Sequence, residues 1–163
     1  MGYADGTDWV ARAVGEGRAF TVTTDLQNIS GQLETALLYI KNPSGSGINI
    51  ETTKFLVGGD SSSSRAVYRV YDNPTVTADG TSLTIRNTLI SDSPQASICE
   101  AYMLPTVTDF GALLNMAIAP SNSPSRGINR HYYIHPGHSI LVTTANSVSN
   151  VKTFSDCYWL EGV

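Results

Sequence analysis

The stretch Pro74-Thr75-Val76-Thr77-Ala78-Asp79-Gly80-Thr81-Ser82-Leu83 has a second copy, Pro105-Thr106-Val107-Thr108-Asp109-Phe110-Gly111-Ala112-Leu113-Leu114, 105 − 74 = 31 positions on. Each copy opens on a proline, which has no N–H to give to a ladder, runs through Thr-Val-Thr, bends at a glycine and restarts on a leucine. That is strand, bend, strand, written twice. It predicts two similar corners in one β-structure, the second following the geometry more loosely because Leu104 stands where the first has Asn73. Neither copy holds a nucleophile, a metal-ligand cluster or a phosphate loop.

Outward from the motif, turn signals recur about every 8–12 residues, the spacing of a sandwich or barrel. The strands predicted between them are Phe20 to Thr24, Leu33 to Lys41, Ile48 to Val57, Ala66 to Tyr71, Ser82 to Ile90 and Ser97 to Leu104, followed by Ala112 to Ile118, Ile128 to His135, Ser139 to Thr144 and Val151 to Leu160. Asn42-Pro43-Ser44-Gly45-Ser46-Gly47 and Pro136-Gly137 read as hairpin turns. Ala66, Tyr68 and Val70 fall on one strand face, opposite Val67, Arg69 and Tyr71. Phe110 to Ala119 is the best helical competitor, but its place in the second copy favours a strand. The expected architecture is all-β, an antiparallel β-sandwich of jelly-roll type with about ten strands. Residues 1–17 form an N-terminal arm and residues 18–163 a single domain. The arm's apolar stretch, Trp9 to Val14, is too short for an independent helix and predicts at most a helical turn.

The 163 residues suit one domain with a sizeable core. Hydrophobic residues make up 41% and charged ones only 15%, so Ser, Thr and Asn supply the surface polarity. A net charge of −4 with scattered basic residues gives no footprint for nucleic acid. No apolar run is long enough to cross a bilayer, and Met1 to Gly6 lacks a basic region followed by an apolar one. Synthesis in a cytoplasm without export is therefore expected. In that compartment Cys99 and Cys157 are expected as two buried thiols rather than a disulfide.

The three histidines fall in one window, His131, His135 and His138. On a strand His131 and His135 share a face about 13 Å apart. His135 and His138 flank a turn and could converge on a metal, but no Asp, Glu or Cys accompanies them locally. No Gly-x-Ser-x-Gly elbow is present, and Cys157, in phase with Trp159, reads as core. No catalytic residue, cofactor or metal site is predicted, and the protein is expected not to be an enzyme. The pairs Tyr132-Tyr133 and Tyr158-Trp159 each turn one ring outward if one sheet face is open, which suits a subunit interface or a sugar platform.

The order of these signals resembles a tailed-bacteriophage structural protein family. The matching residues are Leu37 to Gly47, Val70 to Thr81, His135-Pro136-Gly137-His138-Ser139-Ile140-Leu141-Val142 and Tyr158-Trp159-Leu160-Glu161. The resemblance implies a virion component with a β-sandwich fold, made in the host bacterial cytoplasm. Its role would be capsid decoration or cement, acting as a trimer or other small homo-oligomer that bridges major capsid protein subunits. Trp9 and Val10 of the arm, with Tyr132 and Tyr133, are the expected interface residues. Equally open is an arm folded back on its own sandwich. The rival function is a tail or baseplate module that binds a carbohydrate or receptor.

Overall fold

The computed structural model describes residues 6–29, 33–59, 66–91, 94–119, 125–147 and 151–162, without the side chains of 6–9, 119 and 125. The helix α1 (Gly6–Gly15) precedes β1 (Ala19–Thr23), β2 (Gln27–Ile29), β3 (Thr35–Lys41), β4 (Ile50–Gly59) and β5 (Ala66–Asp72). Five short strands follow: β6 (Thr75–Ala78), β7 (Thr81–Ser82), β8 (Arg86–Asn87), β9 (Glu100–Met103) and β10 (Thr106–Asp109). Then come β11 (Ala112–Ala119), β12 (Ser125–Ile128), β13 (Tyr132–Ile134), β14 (Ser139–Asn146) and β15 (Val151–Glu161).

Two antiparallel sheets carry the fold. The first contains β1-β15-β4-β12 and the second β3-β14-β5-β11. Early strands thus pair with late ones, β1 with β15, β3 with β14, β4 with β12 and β5 with β11, as in a long hairpin rolled into two layers. This is the jelly roll expected from the sequence. Between the layers lies one apolar core that includes Phe20, Phe55, Tyr68, Val70, Ile140, Val142 and Trp159. Ala66, Tyr68 and Val70 all point into it, as alternation predicts, and the Phe20 and Trp159 rings stack with centroids 6.2 Å apart.

Several expectations need correction. Among the described residues the ten predicted strands become fifteen: Ser82 to Ile90 is broken into β7 and β8, Ile128 to His135 takes in the end of β12 and all of β13, and β2, β6 and β10 lie outside the ten predicted segments. Both predicted hairpin turns are corners instead, since β3 and β14 lie in the second sheet and β4 and β13 in the first. Asn42, only 1% exposed, ties these corners together. Its Nδ2 donates to the carbonyls of Ile48 and Ile134, both at 2.9 Å, and its backbone carbonyl accepts from Gly137 N at 2.8 Å. The Trp9 to Val14 stretch belongs to a ten-residue helix rather than a single turn. Tertiary packing supplies what length does not: Ala13 is fully buried against Ala19 and Leu160, with Val10 and Val14 beside them.

The doubled motif has a structure that neither copy discloses alone. β6 pairs antiparallel with β10, β5 with β11 and β7 with β9. The two copies are therefore arranged about a local two-fold axis between β3 and β14. Asn73 and Leu104, each before its proline, take the same left-handed backbone, φ 54° and 53°, so the second copy is no looser than the first. Gly80 (φ 92°) lies against the carbonyl of Met103 and Gly111 (φ 85°) against that of Asp72, where a Cβ would overlap the oxygen. The β6–β10 ribbon forms a partial third layer. Val76, Val107 and Phe110 rest on Tyr39, Tyr71 and Leu141 of the second sheet's outer face, and Phe110 stacks on Tyr71 at 5.4 Å.

Candidate functional site: an uncharged apolar sheet edge

The insertion between β5 and β11 treats the two sides of the sandwich differently. On one side it adds β8 to β1, and β9 and then β7 to β3, so those sheets end in strands of two residues. Very short terminal strands leave little unpaired backbone to recruit another chain. On the opposite side the second sheet ends in β11, eight residues long and paired only with β5 among the described strands.

The sequence of β11 is Ala-Leu-Leu-Asn-Met-Ala-Ile-Ala, without a charge. A register shift between Leu113 and Asn115 leaves Leu114 as the extra residue of a bulge. Leu113 then lies opposite Tyr71, Met116 opposite Arg69 and Ile118 opposite Val67, which puts all three on the outer face. They are 55%, 53% and 51% exposed, whereas Ala117, on the inner face, packs against the core. Leu114 turns aside into a small cleft of about 120 Å³ that it shares with Tyr132, Tyr133 and Ile134.

Beside this stripe Arg69, Glu34, Tyr71 and Thr143 are paired with one another, while Asp72, opposite Ala112 at its end, is an exposed carboxylate. Arg69 Nη1 lies 3.0 Å from Glu34 Oε2, and Glu34 Oε1 accepts from the Tyr71 hydroxyl at 2.8 Å and the Thr143 hydroxyl at 2.5 Å. Burial, reinforced by Glu34, pushes the Tyr71 phenol up to about 12, so it remains a donor at neutral pH. The stripe thus borders a neutralised network and exposes no free charge of its own.

The predicted interface residues occupy different settings. Tyr133 is 59% exposed on the first sheet's outer face, and the charge of buried Glu51 raises its phenol's pKa. Tyr132 is half-buried and packs on Phe55, ring centroids 6.2 Å apart. Val10 rests on its own sheet with Ala13, Ala19 and Leu160, while the side chain of Trp9 lies outside the described residues. Ala19, Leu160, Glu51 and Tyr133 form one cross-strand row, so α1 and Tyr133 share the first sheet's outer face. Tyr132 and Tyr133 meet Leu114; Val10 belongs to the helix contact.

Other candidate chemistry is dispersed. His131 Nδ1 is 2.6 Å from Glu51 Oε1, His135 Nδ1 is 2.8 Å from Asn49 Oδ1, and the His135 and His138 rings lie 6.3 Å apart. Among the described residues no three His, Cys, Asp or Glu side chains converge as a metal site. Cys99 and Cys157 are both buried and free, and burial raises both thiols away from the reactive thiolate form. Among the described residues no helix is long and apolar enough to cross a membrane.

Sequence reasoning missed β11 as a surface. The pattern of Leu113, Leu114, Met116 and Ile118 predicts a strand without saying which face is exposed, although large apolar residues at both parities with no charged face are an available signal.

No family model matches the chain. No curated protein matches it either. Among solved structures, a chain of the heated full particle of Israeli acute paralysis virus is similar at 8% identity and a TM-score of 0.37, covering 96% of this chain and 81% of that one. The infectious bursal disease virus VP2 subviral particle is similar at 15% identity and a TM-score of 0.24, covering 90% of this chain and 41% of that one. The Gt strain of that virus gives 11% identity, 88% and 42% coverage and a TM-score of 0.24. The chain thus spans about two fifths of the length of the bursal disease virus chains. Likenesses this loose carry no weight for function, and the jelly roll rests on the strand order of the chain itself.

Proposed function

We propose that the protein is a structural component of a virion: a decoration or cement protein of a tailed-phage head that acts by binding and performs no catalysis. The observation that supports this reading best is the asymmetry of the sheet edges. The insertion ends one side of the sandwich in two-residue strands, while the other side keeps an eight-residue, uncharged edge with four exposed large apolar side chains. A contiguous apolar patch of this kind is a protein-binding surface or an aggregation hazard unless covered. Assembly into a trimer or other small homo-oligomer, seated on major capsid protein, covers it.

The action of such a protein is mechanical. A partner present at about a hundred times its dissociation constant stabilises the bound form by about 2.7 kcal/mol per site, and many sites together resist internal pressure. The test is co-sedimentation of the purified protein with undecorated and with mature heads. Saturable pelleting with undecorated heads is expected; failure to pellet with either overturns the reading.

A further inference from the structure

A second surface lies on the opposite side of the sandwich, where the insertion crosses from β7 to β8. There it stands away from the end of β1 and leaves an open cleft of about 400 Å³, within the range of small-ligand sites. Six hydroxyl residues line it, Thr21, Thr23, Thr24, Thr81, Ser82 and Thr84, of which buried Thr24 already accepts from Ser155 N at 2.9 Å. Asp25 and Arg86 also line it, and neither forms an ion pair with another described residue. Leu83 and Met103 contribute apolar surface.

Three observations point to one ligand chemistry. Thr21 Oγ1 is buried without a hydrogen-bond partner, so a wall of the cleft holds an unsatisfied polar atom. Thr21 lies between Arg86 on β8 and Tyr158 on β15 in one cross-strand row, which places a guanidinium and a 36% exposed aromatic ring on either side of it. Hydroxyls both donate and accept, Asp25 accepts only, and Arg86 presents a planar fork that fits a carboxylate. A sugar ring offers matching hydroxyls and an apolar C–H face, and a carboxylated sugar adds the group that Arg86 fits. Phosphate is disfavoured by Asp25 and by the lack of a second cation lining the cleft.

We propose that this cleft binds a carboxylated saccharide, with Arg86 taking the carboxylate, and Asp25 and the hydroxyls of Thr21, Thr81, Ser82 and Thr84 holding the ring hydroxyls. The site is separate from the β11 edge and stands or falls independently of head binding. The test titrates the full chain with sodium glucuronate, glucose or sodium chloride and follows backbone amide chemical shifts. Expected are shifts at Thr21 to Asp25 and Thr81 to Arg86, and binding of glucuronate at least about tenfold tighter than glucose, as for a charge-assisted pair. Arg86→Gln removes that preference and Ser82→Ala weakens both sugars, each with the circular dichroism spectrum unchanged. Shifts elsewhere or none, equal binding of the two sugars, or a preference that survives Arg86→Gln overturns the proposal.

Discussion

Leu104 is held at φ 53°, a conformation that costs a side-chain-bearing L-residue about 1–2 kcal/mol. Its counterpart Asn73 tolerates the same geometry better, because a short polar side chain bonds locally. Leu104 is also 40% exposed, so little burial offsets the strain. Leu104→Asn is therefore expected to stabilise the fold by about 1 kcal/mol in urea denaturation, whereas Gly80→Ala and Gly111→Ala each destabilise it by about 2 kcal/mol or more. A further prediction concerns Asp156, which is 9% exposed with Oδ1 unpartnered. Burial raises its pKa above the ordinary carboxylate value. The folded state then holds this proton more tightly than the unfolded state, so the Asp156 contribution favours folding at low pH and is lost as pH rises through the folded pKa. Asp156→Asn should raise the Tm at pH 7, with the gain shrinking toward pH 4. At this scale the doubled motif was legible as strand, bend and strand. The left-handed Leu104 was not, because nothing in the side chain of a leucine favours that backbone.

Among the elements, local patterns disclosed which segments extend but not which sheet each joins. Asn-Pro and Pro-Gly are turn chemistry in a hairpin and in a corner alike. The choice between them depends on Asn42 bridging Ile48 and Ile134, residues far apart in sequence. α1 shows the same limit from the other direction: its length argued against a helix, and a buried Ala13 against Leu160 decided for one. Which side chains of β11 face solvent is illegible for a physical reason. A bulge at Leu114 changes the parity of everything beyond it, so no periodicity count tells which leucine faces solvent. The edge carries its own prediction. Met116→Lys combined with Ile118→Lys leaves urea stability within about 0.5 kcal/mol, because both side chains are already half exposed. The same pair of substitutions shifts the sedimentation coefficient from oligomer to monomer.

As a whole, the molecule is a jelly roll whose insertion does two things: it laces a two-fold ribbon over one sheet and ends one side of the sandwich in minimal strands. On the other side β11 remains an apolar, uncharged edge next to β12 with its Arg126, and in the proposed reading that edge is covered in the assembled particle. Residue-resolved amide hydrogen exchange, with the protein free as dilute monomer and then bound to undecorated heads, decides whether it is. The predicted result is strong protection of residues 112–119 on binding, with little change at Thr81–Ser82 and Arg86–Asn87. Exchange at 112–119 that is equally fast in both states, while the protein is demonstrably bound, would contradict it.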